Sequence, residues 1–107
     1  MKTIKIGADF SETPVGRFPS DGPFSGERFR EEFLKPALNE NNKVIVIIDD
    51  AEGYGSSFLN EAFGGLVQKR YFTVADLKKK LEIVCVDKNY QIYHDLIWKH
   101  INEARPE

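Results

Sequence analysis

Residues 43–67 read KVIVIIDDAEGYGSSFLNEAFGGLV, and this stretch decides how the rest of the chain is interpreted. Val44 to Ile48 form a β-branched run without alternation, which predicts a strand covered on both faces by helices. Asp49-Asp50 and a loop carrying Gly53 and Gly55 follow. Ser56-Ser57 then open a helix whose apolar face is Phe58, Leu59, Ala62, Phe63, Leu66 and Val67. In open α/β sheets the carboxyl ends of strands and the N-termini of the following helices gather loops and free N–H groups on one rim, so function is expected there. Gly64-Gly65 inside the helix should cost about 1 kcal/mol each relative to alanine, which predicts a close backbone approach to a neighbour.

Outward from that stretch, Lys2 to Gly7 alternate charged and apolar residues, with Ile4 and Ile6 on one side, as a strand near a sheet edge would. Ala8 to Phe24 hold three prolines and two glycines, which predicts a loop with a short strand around Gly16 to Phe18 as a hairpin arm. Ser25 suits an N-cap for a helix with the stripe Phe29, Phe33, Leu34, Ala37 and Leu38, and Glu27 is favourable in its first turn. Pro36 predicts a kink or a break near Lys35. Thr73 is expected to cap a short helix from Val74 to Lys80, whose last turn places Lys78, Lys79 and Lys80 at the negative end of the dipole. Residues 81–86 read as a second buried strand. Tyr90, Tyr93, Ile97 and Ile101 mark the core stripe of a closing helix, with Trp98 off that stripe as either a core or an interface residue.

A chain of 107 residues is expected to be one domain, residues 1–107, with one core. Its 15 Lys plus Arg against 17 Asp plus Glu give a formal charge of −2, which argues against nucleic acid as a partner. The single cysteine, Cys85, has no internal disulfide partner and reads as a buried structural thiol in a reducing cytoplasm. The N-terminus has no long apolar core, and no stretch approaches the roughly 20 apolar residues that span a bilayer. A cytoplasmic protein without a membrane partner is the expectation.

The chemistry-bearing motifs are few. Gly53-Tyr54-Gly55 lacks the spacing and the lysine of a phosphate loop and reads as a turn. His94 and His100 lie six apart, whereas ligands sharing a helix face lie three or four apart, so no metal site and no cofactor are expected. Gly55-Ser56-Ser57-Phe58-Leu59 lacks the second glycine of a hydrolase nucleophile turn, and no catalytic residue is assigned. Asp49 and Asp50 at a strand end are the residue type that holds Mg²⁺ or accepts a phosphoryl group, although loop solvation and turn capping ask for the same residues. Ser56 and Ser57 suit a cap, and a phosphate there would gain from the helix dipole while Asp49, Asp50 and Glu52 repel it. Arg17, Asp21, Ser25 and Arg28 are candidates for an anion-binding corner at the start of the first long helix, with loop scaffolding as the plainer role.

The order of elements, the segment VIVIIDDAEGYGSSFLNEAFGGLV and the segment GRFPSDGPFSGERFREEFLKPAL together resemble an uncharacterised bacterial STAS-like domain family, related to the STAS fold of anti-sigma-factor antagonists. The second segment is similar to that family's Gly-Arg, Asp-Gly, Ser-Gly and Phe-Arg signature. The resemblance implies an α/β fold with a mixed sheet of about four strands, helices packed on it, and the order β-(β)-α-β-α-α-β-α. It further implies a non-enzymatic regulatory or protein-interaction module. In the antagonists a partner kinase phosphorylates a serine in Asp-Ser-Ser-Gly at a helix N-terminus. Gly55-Ser56-Ser57-Phe58 stands in the similar place, with Gly55 for the aspartate and Phe58 for the glycine. The expected sites are therefore Ser56 and Ser57 for phosphorylation, and Asp49, Asp50, Tyr54 and Phe58 as a rim for a protein partner such as a serine kinase of the ATPase type. A small phosphotransfer or ligand-binding protein with an Asp49/Asp50 pocket is the alternative, and a homodimer through an exposed apolar patch is a third reading.

Overall fold

The computed structural model describes residues 1–107. Three strands, β1 (Lys2–Lys5), β2 (Val44–Ile47) and β3 (Leu81–Val84), lie side by side in that order, all parallel. The helices are α1 (residues 26–40), α2 (residues 56–68), α3 (Val74–Lys80) and α4 (Gln91–Glu103). The sequence of elements is the expected one without its optional strand, so the sheet is three-stranded and parallel rather than mixed and four-stranded. No strand forms at Gly16 to Phe18 because the Asp21 carboxylate accepts hydrogen bonds from the N–H groups of Arg17 and Phe18, at 3.0 and 3.1 Å. Those donors are then lost to any ladder, and the chain turns through a short 3₁₀ segment, Pro19–Asp21.

Walking β1 to β2 to β3 in one direction through parallel crossovers of the usual right hand places every connecting helix on the same face of the sheet. Burial agrees. Ile4, Val44, Val46, Leu81 and Ile83 are sealed in the core, while the register rows Thr3–Ile45–Glu82 and Lys5–Ile47–Val84 point the other way and none of the six is buried. The aliphatic run of β2 is therefore sealed on one face and only half-buried on the other, a correction to the two-sided burial that its composition predicts. The β3 strand also ends earlier than expected. Val86 is 89% exposed and Cys85 is half-buried, so the thiol is not a core residue, though burial still pushes its pKa up.

The core lies between the buried sheet face and the helices. Phe29, Phe58 and Phe63 are fully enclosed at its centre, with the Phe29 ring 6.1 Å from each of the other two. Trp98 is half-buried against this cluster. Ser25 caps α1 by accepting from the N–H of Arg28, and Thr73 with Asp76 makes the reciprocal capping box of α3. Pro36 does not break α1. The helix widens into a π turn over Arg30–Leu34, where the Lys35 N–H reaches the Arg30 carbonyl, and then continues through Lys35–Glu40. The wider turn makes room for a ring that would otherwise press on the carbonyl four residues back. No helix is long and apolar enough to cross a membrane.

The two faces of the sheet predict opposite responses to truncation at adjacent positions. Ile48→Ala, at a fully buried site, is expected to lose about 2–5 kcal/mol of unfolding free energy, and Ile47→Ala on the half-buried face less, about 1–2 kcal/mol. Urea unfolding of both variants measures the difference, and equal losses would mean that the outer face is covered.

Candidate functional site

The carboxyl ends of the strands meet where Asp49 and Asp50 leave β2. The two side chains splay to opposite sides. Asp49 Oδ2 accepts from the N–H groups of Val86 and Asp87, at 2.6 and 2.9 Å, and so ties the exit of β3 to the centre of the sheet. Asp50 accepts from the N–H groups of Gly7 and Ala8, at 2.8 and 3.0 Å, and ties the exit of β1 in the same way. The hydrogen bonds from Asp87 and Val86 hold the Asp49 carboxyl below the usual carboxylate range, against a smaller opposing effect of burial. Neither side chain is idle, and no group of three His, Cys, Asp or Glu residues is placed to hold a metal ion.

Tyr54 crosses the same rim and donates its hydroxyl to the Ile48 carbonyl at 2.6 Å. Burial raises its pKa far above the ordinary value, with Asp50 adding to the effect, so the phenol stays neutral. The Tyr54 ring stacks on Phe58, 6.0 Å away, and meets Tyr93 edge-on at 5.2 Å. Phe58 itself is fully buried, which removes it from the exposed rim on which it was expected. Its place at helical spacing with Leu59 and Ala62 turns it inward. Ser56 and Ser57 are exposed at the start of α2, where Gly55 rather than either serine occupies the cap position.

Beneath Ser56 runs a polar path that sequence reading did not find. Ser56 Oγ lies 3.2 Å from His100 Nε2, and His100 Nδ1 lies 3.0 Å from Asn60 Nδ2. Asn60 Oδ1 accepts from Arg17 Nη1 at 2.8 Å, and Arg17 approaches Glu61 Oε1 at 3.6 Å. Glu61 in turn holds Arg30: the guanidinium Nη1 donates to its Oε2 at 2.8 Å and to its backbone carbonyl at 2.6 Å. Arg30 is 1% exposed. Its Nε reaches Glu31 at 2.8 Å, and the Tyr71 hydroxyl donates to the same carboxylate. Burial lowers the pKa of His100, a shift opposed by Glu103 and reinforced by Arg17 and Lys99.

Local backbone geometry makes the path possible. Arg30 opens one π turn and Glu61 sits in the other, Asn60–Gly64, and π turns are frequent where helices serve a site. Two glycines allow the helices to approach. A Cβ on Gly26 would stand 2.7 Å from the Phe58 carbonyl oxygen, and one on Gly65 would stand 2.3 Å from Arg30 Nη1. Gly65 thus has the close neighbour that its position in a helix implied, the Arg30 side chain, whereas a Cβ on Gly64 would meet nothing nearer than 3.4 Å. The sequence signal for the pair was a charge of each sign interrupting an apolar stripe, Arg30 beside Phe29 and Glu61 beside Ala62.

The four residues proposed as an anion corner meet only through backbone N–H groups, Arg17 to Asp21 and Arg28 to Ser25, and the two guanidinium groups turn to different partners. Arg17 turns to Asn60 and Glu61, Asp21 closes its own loop, and Ser25 is buried as a helix cap. Arg28 donates to the Pro23 carbonyl at 2.7 Å and to Glu32, with its guanidinium over Phe10 and Phe24.

A family model described as a STAS-like domain of unknown function matches residues 25–91, a span that includes Ser25, Arg30, all of β2, Ser56-Ser57 and Glu61. The chain belongs to this STAS-like domain family. No curated protein and no solved structure matches it.

Two predictions test the site's construction. Glu61→Leu alone leaves the Arg30 charge buried and is expected to cost about 3–5 kcal/mol, whereas the pair Arg30→Met with Glu61→Leu recovers most of it. A double-mutant cycle by chemical denaturation checks this, and additive losses would deny the coupling. Asp49, with its lowered folded-state pKa, contributes stability that is present above the unfolded value of about 4 and is lost as pH falls through the folded value. Asp49→Asn is therefore expected to flatten the fall in stability between about pH 5 and pH 2, read by urea unfolding at a series of pH values.

Proposed function

We propose that this STAS-like domain is a non-enzymatic regulatory module that docks a protein partner on the rim around Ser56, Ser57 and the loop before them, and that phosphorylation of a serine there switches the docking. The observation that carries the reading is the position of Ser56. Its hydroxyl is open to solvent at the start of α2 and also lies at one end of a hydrogen-bonded path into the buried Arg30–Glu61 pair. A phosphoryl group transferred from ATP to the hydroxyl oxygen, with ADP and the hydroxyl proton leaving, would place about −1.5 to −2 charges at the positive end of the helix. Asp50 and Glu52 are exposed on the same loop, so that charge enters a field already negative. The helix end attracts that charge and the carboxylates repel it, and this opposition makes occupancy of the rim sensitive to the modification.

The alternative of a phosphotransfer pocket at Asp49 and Asp50 has less behind it. Both carboxylates already accept two backbone N–H groups in tying β1 and β3 to the centre of the sheet, and no third acid or histidine stands with them to complete a metal site.

Incubation of the protein with ATP and serine kinases of the ATPase-like type, followed by peptide mass spectrometry, tests the reading. The expected product is one phosphate on Ser56 or Ser57, lost on Ser→Ala replacement at the modified position. An unmodified rim across the kinases tried, together with unchanged partner capture by a Ser56→Asp, Ser57→Asp variant, overturns the switch.

A further inference from the structure

The hydrogen-bond donors and acceptors around His100 fix which ring nitrogen holds its proton. A guanidinium has only donors, so Arg17 Nη1, 2.8 Å from Asn60, requires the amide oxygen to face it. The amide nitrogen then faces His100 Nδ1 at 3.0 Å. That nitrogen donates and cannot accept, so Nδ1 must be the bare acceptor of a neutral ring. The imidazole proton therefore sits on Nε2 and is donated to Ser56 Oγ at 3.2 Å. His100 gives Ser56 a hydrogen bond and is in no position to remove the serine proton, which sets this pair apart from a nucleophile and its base.

We propose that His100 reads the charge at position 56 and passes it to Arg17 by reversing the Asn60 amide. This deepens the phosphorylation reading and rests on it. An anion on Ser56 favours the imidazolium, formed by taking one proton from solvent onto Nδ1. That new N–H meets the Asn60 amide nitrogen donor against donor. Rotation of the amide relieves the clash by presenting Oδ1 to His100, but it turns the NH₂ towards Arg17, where a second donor pair arises. One amide cannot satisfy both neighbours once the ring is charged, and Arg17 lets go. The released guanidinium is 3.6 Å from Glu61 Oε1 and belongs to the loop that Asp21 closes, so the loop and the buried pair both feel the event. The charged groups that bear on the ring are Arg17 from the loop and Lys99 and Glu103 from α4 itself. Ser57 has no such path, so the device distinguishes the two serines.

The test uses the full chain with phosphoserine installed during synthesis at position 56, or at position 57 as the comparison, and ¹⁵N NMR of His100, Asn60 and Arg17. The unmodified protein is expected to show the Nε2–H tautomer. Phosphate at Ser56 should raise the His100 midpoint by about one pH unit or more, invert the Asn60 amide environment and shift the Arg17 guanidinium signals. Phosphate at Ser57 should leave all three nearly unchanged. Acid titration of the unmodified chain should produce the same amide reversal, since protonation of the ring is enough, and this arm stands if Asn60→Leu fails to fold. An Nδ1–H tautomer at rest, an Asn60 amide unmoved by phosphate at Ser56, or Arg17 signals that still respond in Asn60→Leu would overturn the relay. Because the phosphate is installed chemically, a kinase that leaves Ser56 alone counts against the switch and not against the relay.

Discussion

The buried contact between Arg30 and Glu61 is the constraint around which the helical layer is arranged. A guanidinium that is almost wholly removed from water survives only with its charge matched and its donors directed. Here Nη1 has both the carboxylate and the backbone carbonyl of Glu61, and Nε has Glu31. The two π turns bring the charged residues to the contact, and Gly26 and Gly65 remove the side-chain volume that would hold the helices apart. Apolar packing around Phe29, Phe58 and Phe63 supplies most of the burial. The ion pair sets how α1 and α2 sit against each other, since a different crossing would strand one charge.

The rim is organised by a different economy of donors. Residues after a parallel strand leave backbone N–H groups unpaired, and Asp49 and Asp50 take those of the two flanking strands. The acidic pair thus closes the end of the sheet. Ser56 and Ser57, one loop further on, stay exposed, and the surface they present is framed by Tyr54 and the carboxylates without being consumed by them. Structural work and presentation of a surface fall to different residues of one short segment.

Much of the architecture was legible in the sequence because it rests on local signals. The Thr73 cap, the Ser25 cap, the Val44 run and the spacing of Tyr93, Ile97 and Ile101 each depend on a few neighbouring residues, and the elements followed in the expected order. Pro36 was a correct sign of local disturbance, absorbed as a widened turn instead of a break. Non-local facts were not legible. Whether Ile45 and Ile47 are covered depends on the hand and direction of crossovers, which the composition of β2 does not contain. The expected strand at Gly16 to Phe18 failed on a side chain, Asp21, competing for its donors. The path from Ser56 to Arg30 joins four segments distant in the chain, and each of its residues alone reads as an ordinary surface polar group. Ser56 and Ser57 stand out by the helix start and by the resemblance, while the spacing of His100 from His94 speaks only to metal binding and says nothing of the path.

The outer side of the sheet, half-buried at its aliphatic positions, bears on how the molecule behaves among its own copies. Ile45, Ile47 and Val84 form an aliphatic strip with both outer strands unpaired, the arrangement from which intermolecular β-stacking grows. Lys5 and Thr3 border it on one side and Glu82, paired with Lys43, on the other. These few surface charges act as gatekeepers against aggregation. Lys5, Lys43 and Glu82 thereby put charge where a second copy would have to stack, a role separate from the free energy that holds the fold together.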